Sequence, residues 1–462
     1  MYATRPRTSA RLRPGETVVG VLVRSYPAQL SILVFLAVAV LFTGLLSLPV
    51  AARTGVSTHV SDAAFTAVSA LTVTGLASVN TAEHWSFLGQ VFILAAIQIG
   101  GLGIITIAIL LTRAVTRSLG VRGKLFARQG GVGTDNLGDV RKLLAVVVST
   151  SLLLEAALAV ILVPAFIATE RSVPDGIWHG VFYAVSSFNN AGFTTHADGM
   201  AGFDGNLFIV LPVMVGVFVG SFGFPVFTVL LVAKWHPKHW NLHTKLTLLT
   251  TTILFLAGAV AWGALEWSNT ATIGDMPVGE RILNSAFASI MTRSGGFSLV
   301  DTADTTSATQ LITDALMFVG GGSASTAGGI KVTTLAVMFL AILAEARGDK
   351  KILIFGRSLP DGAIRVAISV TFLGATLVLA ASILLLLVSD APLNDVVFEV
   401  ISAFATCGLS IGLSEQLPPA GKIILAVVML MGRIGPIGLA SALAIRRRNL
   451  LYSYPTERPI LG

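Results

Sequence analysis

The sequence predicts an all-α polytopic membrane protein built from four similar repeats, and three observations support this fold class. The first is composition: 54% of the 462 residues are hydrophobic, only 12% are charged, and the mean hydropathy is +0.82. A soluble chain normally carries charge on about a quarter of its residues. The second is a series of apolar runs, each near the roughly 20 residues that cross a bilayer as a helix. The clearest are Ala28–Val50, Leu143–Ile167, Leu246–Trp262 and Val366–Val388.

The third observation is a short segment that occurs four times in the same register. The four copies are Phe65–Leu76, Phe182–Phe193, Ala286–Phe297 and Phe398–Leu409. Each contains a glycine followed by an apolar residue, and these glycines are spaced 117, 104 and 112 residues apart. The glycines are Gly75, Gly192, Gly296 and Gly408. Each copy lies between two long apolar stretches and is too short to span the bilayer, which predicts a re-entrant segment.

The backbone chemistry of such segments predicts a cation pore. Irregular backbone at membrane depth is tolerated only where it is buried in protein or lines a watery cavity. Carbonyl oxygens there can replace the hydration shell of a monovalent cation, and the negative ends of the short helices point toward it. We therefore predict four covalently linked helix–pore helix–filter–helix repeats around a pseudo-fourfold pore. The short segments carry acidic residues near their starts, where ordinary N-capping is the expected role: Asp62, Asp175, Glu280 and Asp395.

Basic residues predict the topology. Of the 31 Lys and Arg residues, 24 lie in the two tails and three of the connecting loops, whereas four lie in the intervening loops. The positive-inside rule then places both termini in the cytoplasm. The net charge of +7 is accordingly interpreted as topology, and no nucleic-acid partner is predicted. The first 26 residues lack the pattern of a cleaved signal peptide.

The predicted organisation follows from these assignments. It comprises a cytoplasmic tail (1–26), repeat 1 (27–112), a basic cytoplasmic loop (113–142), repeat 2 (143–233), a cytoplasmic loop (234–245), repeat 3 (246–347, with an intramembrane gate loop at 320–330), a cytoplasmic loop (348–362), repeat 4 (363–445) and a cytoplasmic tail (446–462).

Motifs of enzymes and metal proteins are lacking in the sequence. A single cysteine, Cys407, excludes an intramolecular disulfide and a cysteine-based metal cluster. HExxH, paired CxxC, Walker-type glycine loops and nucleophile elbows do not occur, so no enzyme is predicted. His236, His239 and His243 have a spacing that fits one helix face. Either a metal site or a wet, basic membrane-edge segment accounts for them, and the second is favoured.

Three further motifs carry a family resemblance. They are the glycine-rich Phe318–Lys331, the Met431–Gly438 string Met-Gly-Arg-Ile-Gly-Pro-Ile-Gly, and the paired-glycine sites Gln98–Gly103 and Gly220–Pro225. With them the chain resembles the Trk/Ktr/HKT superfamily of potassium transporters over nearly its whole length. The related TrkH proteins usually carry additional membrane helices before the first repeat, whereas here the first repeat begins at about residue 28. The chain therefore looks most like the membrane subunit of the Ktr branch, KtrB.

The resemblance implies specific filter residues. The four glycines above would be the filter glycines, and the two residues before each would line the filter with backbone carbonyls. These are Val73, Thr74, Asn190, Ala191, Ser294, Gly295, Thr406 and Cys407. Each repeat offers one such glycine in place of the longer string of potassium channels, so looser selectivity over sodium is expected.

The glycine-rich motif predicts a break in the second long helix of repeat 3. Of the ten residues from Gly320 to Gly329, seven are Gly or Ser, and each interior Gly destabilises a helix by about 1 kcal/mol. A broken helix beneath the filter suggests a gate; a surface for close helix packing is the alternative. The candidate gate residues are Gly320, Gly321, Gly322, Ser323, Ser325, Thr326, Gly328 and Gly329. An intramembrane arginine, Arg433, is predicted to latch this loop closed.

The resemblance also implies cofactors and partners. K⁺ would be the transported ion at the filter carbonyls, Na⁺ a possible activator, and a KtrA-type cytoplasmic nucleotide-binding ring the regulatory partner of a homodimer in the bacterial plasma membrane. No nucleotide site of the chain's own is visible. The basic segments Arg113–Lys142 and Arg446–Gly462 suit either such a ring or anionic lipid. An alternating-access carrier is the rival class, but such folds usually show two halves rather than four units.

Overall fold

The computed structural model describes residues 27–118, 137–233, 236–349 and 351–435. The predicted tails, the centre of the basic loop 113–142 and the end of repeat 4 lie outside these residues. Within them the chain is mostly helical, with irregular segments between the helices, 3₁₀ turns and a small hairpin of β1 (Leu353–Ile354) and β2 (Arg357–Ser358). The all-α prediction is confirmed.

The helices follow the repeat pattern. Repeat 1 contains α1 (Pro27–Leu46), α2 (Val60–Thr72), α3 (Thr81–His84) and α4 (Phe87–Ser118). Repeat 2 contains α5 (Leu137–Glu170), α6 (Val173–Phe188), α7 (Leu207–Gly220) and α8 (Phe224–Ala233). Repeat 3 contains α9 (Leu242–Glu266), α10 (Val278–Met291), α11 (Ser307–Phe318) and α12 (Val332–Arg347). Repeat 4 contains α13 (Asp361–Leu386), α14 (Leu393–Ala405), α15 (Leu413–Gln416) and α16 (Pro419–Ile434).

The first helix of each repeat presents an apolar face to the outside. Val40, Val160, Val260 and Phe372 lie one on each of these helices and are 72%, 73%, 73% and 74% exposed. Large apolar side chains exposed on all four helices fit contact with lipid rather than water. Among the described residues, three helices and the bent pair α7–α8 are long and apolar enough to cross a bilayer.

The short helices α2, α6, α10 and α14 correspond to the predicted pore helices. Their acidic residues, however, do not cap them: each lies at the third helical position, and the N-cap residues are His59, Ser172, Pro277 and Pro392. None of these caps makes a side-chain cap hydrogen bond. The N-capping interpretation is therefore wrong, because the cap position precedes the carboxylate; the charge still lies in the first turn, where the helix dipole favours it.

The helices that follow the pore helices and their filter segments, here called the inner helices, are α4, α7–α8, α11–α12 and α16. Glycines let three of them pack on the ends of the pore helices. A methyl group added to Gly100, Gly220 or Gly432 would overlap a backbone carbonyl oxygen. The three carbonyls belong to Leu71, Phe188 and Phe404, which are four residues before the filter glycine of repeats 1, 2 and 4. Gly100 and Gly220 of the paired-glycine motifs, and Gly432 of the Met431–Gly438 motif, therefore allow these helices to pack against the backbone that leads into the filter.

Two inner helices are broken. In repeat 3 the chain is non-helical from Val319 to Lys331, which confirms the break predicted from the glycines. In repeat 2, α7 and α8 meet at an angle of 96°, a break that the sequence analysis did not predict. Gly223 has φ +90° at this corner, and Pro225 follows, which lacks the N–H that a continuous helix needs.

Candidate functional site

The four glycine segments adopt the same backbone conformation. The residue two before each glycine has a left-handed backbone, with φ of 54° at Val73, 58° at Asn190, 64° at Ser294 and 47° at Thr406. The glycines themselves have φ of 94°, 68°, 72° and 90° in chain order. Left-handed φ is an outlier for β-branched residues such as Val and Thr, and such strain of roughly 1–3 kcal/mol clusters at functional sites.

These glycines pack in a closed ring. A methyl group on Gly75 would overlap Ala191 O, and one on Gly408 would overlap Thr74 O. A methyl group on Gly296 would lie 2.6 Å from Cys407 O.

The remaining glycine completes the ring. A methyl group on Gly192 would lie 2.9 Å from the Cα of Gly296 and 3.2 Å from Gly295 O. In every case the neighbouring carbonyl belongs to the residue before the glycine of the next repeat. The structure thus brings the predicted glycines and the carbonyls of Thr74, Ala191, Gly295 and Cys407 together, in the cyclic order of the repeats.

Serines in the last turns of three pore helices hold the filter backbone. Ser69 Oγ accepts from Gly75 N at 3.1 Å, and Ser402 Oγ accepts from Gly408 N at 3.1 Å. In repeat 2 the matching Ser186 Oγ instead donates to Phe193 O at 2.9 Å. Repeat 3 has Ile290 at this position. These serines were not predicted, although alignment of the four copies places all three in one column.

The glycine-rich segment, residues 319–331 and here called the break loop, lies against the filter. Thr326 Oγ1 donates to Asn190 Oδ1 at 3.1 Å, and Gly328 N donates to Ser294 Oγ at 3.2 Å. A methyl group on Gly328 would overlap the Thr406 side chain. The contacted residues are those with a left-handed backbone in repeats 2, 3 and 4: Asn190, Ser294 and Thr406. The break loop therefore packs against three of the four filter segments.

Two basic side chains bind carbonyls of the break loop, and Arg433 also reaches a carbonyl of α4. Arg433 is buried and donates to Thr326 O and, at 3.4 Å, to Gly100 O. Lys331 Nζ donates to the carbonyls of Ala327 and Gly328. Arg433 therefore contacts the break loop, and its role as a latch stays a prediction.

The break loop is also joined to the corner between α7 and α8. Gly322 N donates to Ser221 O at 2.8 Å, and Phe224 N donates to Ala324 O at 3.2 Å. A methyl group on Gly223 would lie 2.5 Å from Ser323 O. The two helix breaks thus satisfy each other's backbone groups. Gly220–Pro225 was predicted only as part of the family motif, yet a glycine two residues before a proline is a sign of such a corner.

Other predicted loop residues bond within the loop and to the helix that follows it. Ser325 Oγ donates to Gly322 O at 2.7 Å, and Ser323 Oγ lies 3.1 Å from Thr333 Oγ1. Gly320 N donates to Ile330 O at 2.8 Å and closes the base of the loop. The break loop is therefore an ordered, internally bonded element.

Two further buried ionisable residues lie behind the filter. Glu155 accepts from Gln98 Nε2 at 3.1 Å and from Asn189 Nδ2 at 3.0 Å, so it joins α5, α4 and the end of α6. Arg293, 1% exposed, has no hydrogen-bond partner for its guanidinium nitrogens among the described residues. Sequence alone gave neither residue a partner.

The histidines on the basic edge do not form a ligand set in the part of the chain that the structure describes. His236 and His239 are exposed in a 3₁₀ turn with ring centroids 6.2 Å apart, and His243 lies in α9. The preference for a basic membrane-edge segment over a metal site in this region stays a prediction.

Comparison with known proteins finds relatives along nearly the whole chain. The sequence profile of the family described as TrkH, Cation transport protein, matches residues 28–449. The chain is 35% identical to Ktr system potassium uptake protein B of Vibrio alginolyticus, over 94% of each chain. It is 34% identical to potassium/sodium uptake protein NtpJ of Enterococcus hirae, covering 92% of this chain and 95% of that one. The crystal structure of the potassium transporter TrkH from Vibrio parahaemolyticus matches with a TM-score of 0.70 and 18% identity, over 90% of this chain and 84% of that one.

Proposed function

The chain belongs to the TrkH family of cation transport proteins, as its motifs predicted, and on this premise we propose that it takes up potassium ions across the bacterial plasma membrane. Relatives that share about a third of its residues over nearly their full length are named for potassium uptake. The observation that carries the proposal is the ring in which each filter glycine meets a carbonyl of the next repeat.

Potassium passes through this ring by exchanging water for backbone oxygens. The carbonyls of Thr74, Ala191, Gly295 and Cys407 replace part of the hydration shell, as in other filters built from carbonyls. The four pore helices end just before these residues, so their negative ends stabilise a cation there. Because glycine has no side chain, the four filter segments can approach one another closely enough to coordinate one ion.

The break loop is the gate in this proposal, with Arg433 as its latch. The loop lies under the filter, and its own hydrogen bonds hold it there. The buried guanidinium adds a positive charge beside the path, which opposes cation passage. Opening requires the loop to leave Asn190 and Ser294 and to break its bond with Arg433.

Regulation is proposed from the family relationship. A KtrA-type nucleotide-binding ring binds on the cytoplasmic side of a homodimer, with both termini on that side as the distribution of basic residues indicates. Na⁺ stimulates uptake; in support, one relative is named for potassium and sodium uptake.

The test is rescue of potassium-uptake-deficient bacteria on low potassium, with the chain expressed beside a KtrA-type partner. Each filter glycine is changed to alanine, and Gly412→Ala is the matched control. Gly412 also has a positive φ, of 88°, but open space surrounds it.

Backbone strain is therefore common to all five variants, and only the filter variants add a clash in the ring. We expect rescue by the wild type and by Gly412→Ala, and loss of rescue in the four filter variants at equal membrane expression. Rescue by all four filter variants would refute the proposed pore.

A further inference from the structure

Three metal-ligating side chains meet on repeat 2 in a cluster that plays no part in the proposed transport path. Glu170 ends α5, His179 lies in the first half of α6, and His196 follows the filter glycine Gly192 by four residues. Glu170 Oε1 lies 2.7 Å from His179 Nδ1 and 3.1 Å from His196 Nε2. One ligand atom from each residue lies within 4.8 Å of the other two, the only such group among the residues described.

The surroundings hold these groups in place. Tyr183 OH lies 3.0 Å from His196 Nδ1, so the other ring nitrogen of His196 is directed at the carboxylate. A hydrogen bond of this kind to the distal nitrogen is typical of metal-binding histidines. The side chains of His179, His196 and Glu170 are only 18%, 23% and 16% exposed. Glu170 Oε2 is shielded from solvent and has no hydrogen-bond partner in the described part of the chain.

We propose that Glu170, His179 and His196 form a binding site for a transition-metal ion of the Zn²⁺ type, with the fourth position open to water. Two imidazoles and one carboxylate are a common set of three protein ligands for zinc, whereas K⁺, Mg²⁺ and Ca²⁺ favour oxygen ligands. Metal–ligand bonds of about 2.0–2.1 Å in tetrahedral geometry place ligand atoms roughly 3.3 Å apart. Glu170 Oε1 lies 2.7 Å from His179 Nδ1 and 3.1 Å from His196 Nε2, and both distances are shorter than this. Small side-chain rotations would therefore be needed to make room for the ion.

The site would link three parts of repeat 2. Its ligands come from the end of α5, from α6 and from the irregular segment that follows the filter glycine. An ion bound by all three restrains the filter exit of this repeat, and it stabilises the folded chain because the unfolded chain lacks the arrangement. Neither consequence depends on which ion the pore conducts.

The test is calorimetric titration of tag-free, chelator-treated protein with Zn²⁺, with Mg²⁺ as the comparison metal. We expect one saturable Zn²⁺ site per chain and none for Mg²⁺. His179→Ala, His196→Ala and Glu170→Gln should each weaken binding by about tenfold or more, and Tyr183→Phe by roughly 10- to 100-fold as loss of an orienting partner.

His84→Ala is the matched control, because His84 bonds Thr58 in repeat 1 and lies outside the cluster. This variant should bind Zn²⁺ as the wild type does. A Zn²⁺-dependent rise of the melting temperature, present in the wild type and absent in Glu170→Gln, provides a second readout that is independent of transport. Lack of saturable Zn²⁺ binding by the wild type, or full binding by a His179→Ala, His196→Ala double variant, would overturn the proposal.

Discussion

Replacement of Arg433 by alanine tests the proposed latch directly. The guanidinium donates to Thr326 O in the break loop and, more weakly at 3.4 Å, to Gly100 O on α4. Both acceptors are backbone groups of neighbouring repeats, and Arg433 itself is 5% exposed. Alanine removes the donor and the charge together, so the closed loop loses its bond to α16.

The expected magnitude follows from the bond to Thr326. A hydrogen bond from a charged donor contributes about 1.5–3 kcal/mol, and the longer bond to Gly100 adds little. A closed state destabilised by that amount shifts the balance toward the open state by roughly 10- to 150-fold. The loop keeps its bonds to Asn190 and Ser294, so Arg433→Ala should be leaky rather than permanently open.

The assay is potassium flux into liposomes that contain the membrane subunit alone, normalised to folded protein. Lys422→Met is the matched control, because it removes another buried cation from the same helix. Lys422 Nζ pairs with Asp62 Oδ1 at 2.6 Å, at the opposite end of α16 from the break loop. Loss of that pair should lower stability without raising flux.

The result that refutes the latch is flux through Arg433→Ala within about twofold of the wild type, with normal melting behaviour, since the bond would then contribute well under 1 kcal/mol. Equal leak through Lys422→Met would refute it too. General loosening of α16, rather than loss of the bond to Thr326, would then explain the flux.

Three further predictions concern the filter, the buried carboxylate and acid stability. Ser402→Ala leaves the buried Gly408 N–H without its acceptor, at a penalty of about 1–3 kcal/mol. It should therefore lower the preference for K⁺ over Na⁺ in competition uptake. Ser382→Ala, which removes only a side-chain hydrogen bond to its own helix, should leave that preference unchanged. Glu155→Ala should lower the melting temperature, because Gln98 and Asn189 lose their shared acceptor, whereas Glu155→Gln should lower it less. Burial lowers the pKa of His84, and the charge of Asp62 partly opposes this shift. The unfolded chain therefore binds the proton more readily, so the free energy of unfolding should fall as the pH drops below 6.5. Thermal unfolding should show a smaller fall in His84→Gln.

Sequence reasoning reached the parts of this fold that depend on local rules. Hydropathy and length predicted the outer helices, because lipid imposes a minimum apolar length. The fourfold register of the glycines predicted the ring, since backbone at membrane depth tolerates few conformations. The glycine density of residues 320–329 predicted the break in repeat 3, because each glycine weakens a helix by itself.

Contacts between distant repeats were not predictable in this way. Glu155 meets Gln98 and Asn189 only because α5, α4 and α6 converge, and no local pattern encodes that meeting. The corner at Gly223 is stabilised by the break loop of another repeat, about a hundred residues away. A single glycine and proline in an apolar run are common in membrane helices and do not on their own identify a break.

The arrangement of the break loop also implies that the proposed gate and filter are energetically coupled. Thr326 is the meeting point: its hydroxyl bonds Asn190 in the filter of repeat 2, and its carbonyl accepts from Arg433 in repeat 4. A loop that moves must release both, so the filter loses a support whenever the latch opens. Coupling between two sites is reciprocal. An ion that orders the filter therefore changes the stability of the closed loop, and the closed loop changes the affinity of the filter for the ion by the same free energy. If the break loop is the proposed gate, selectivity and gating share Asn190, and a variant of Asn190 is expected to change both.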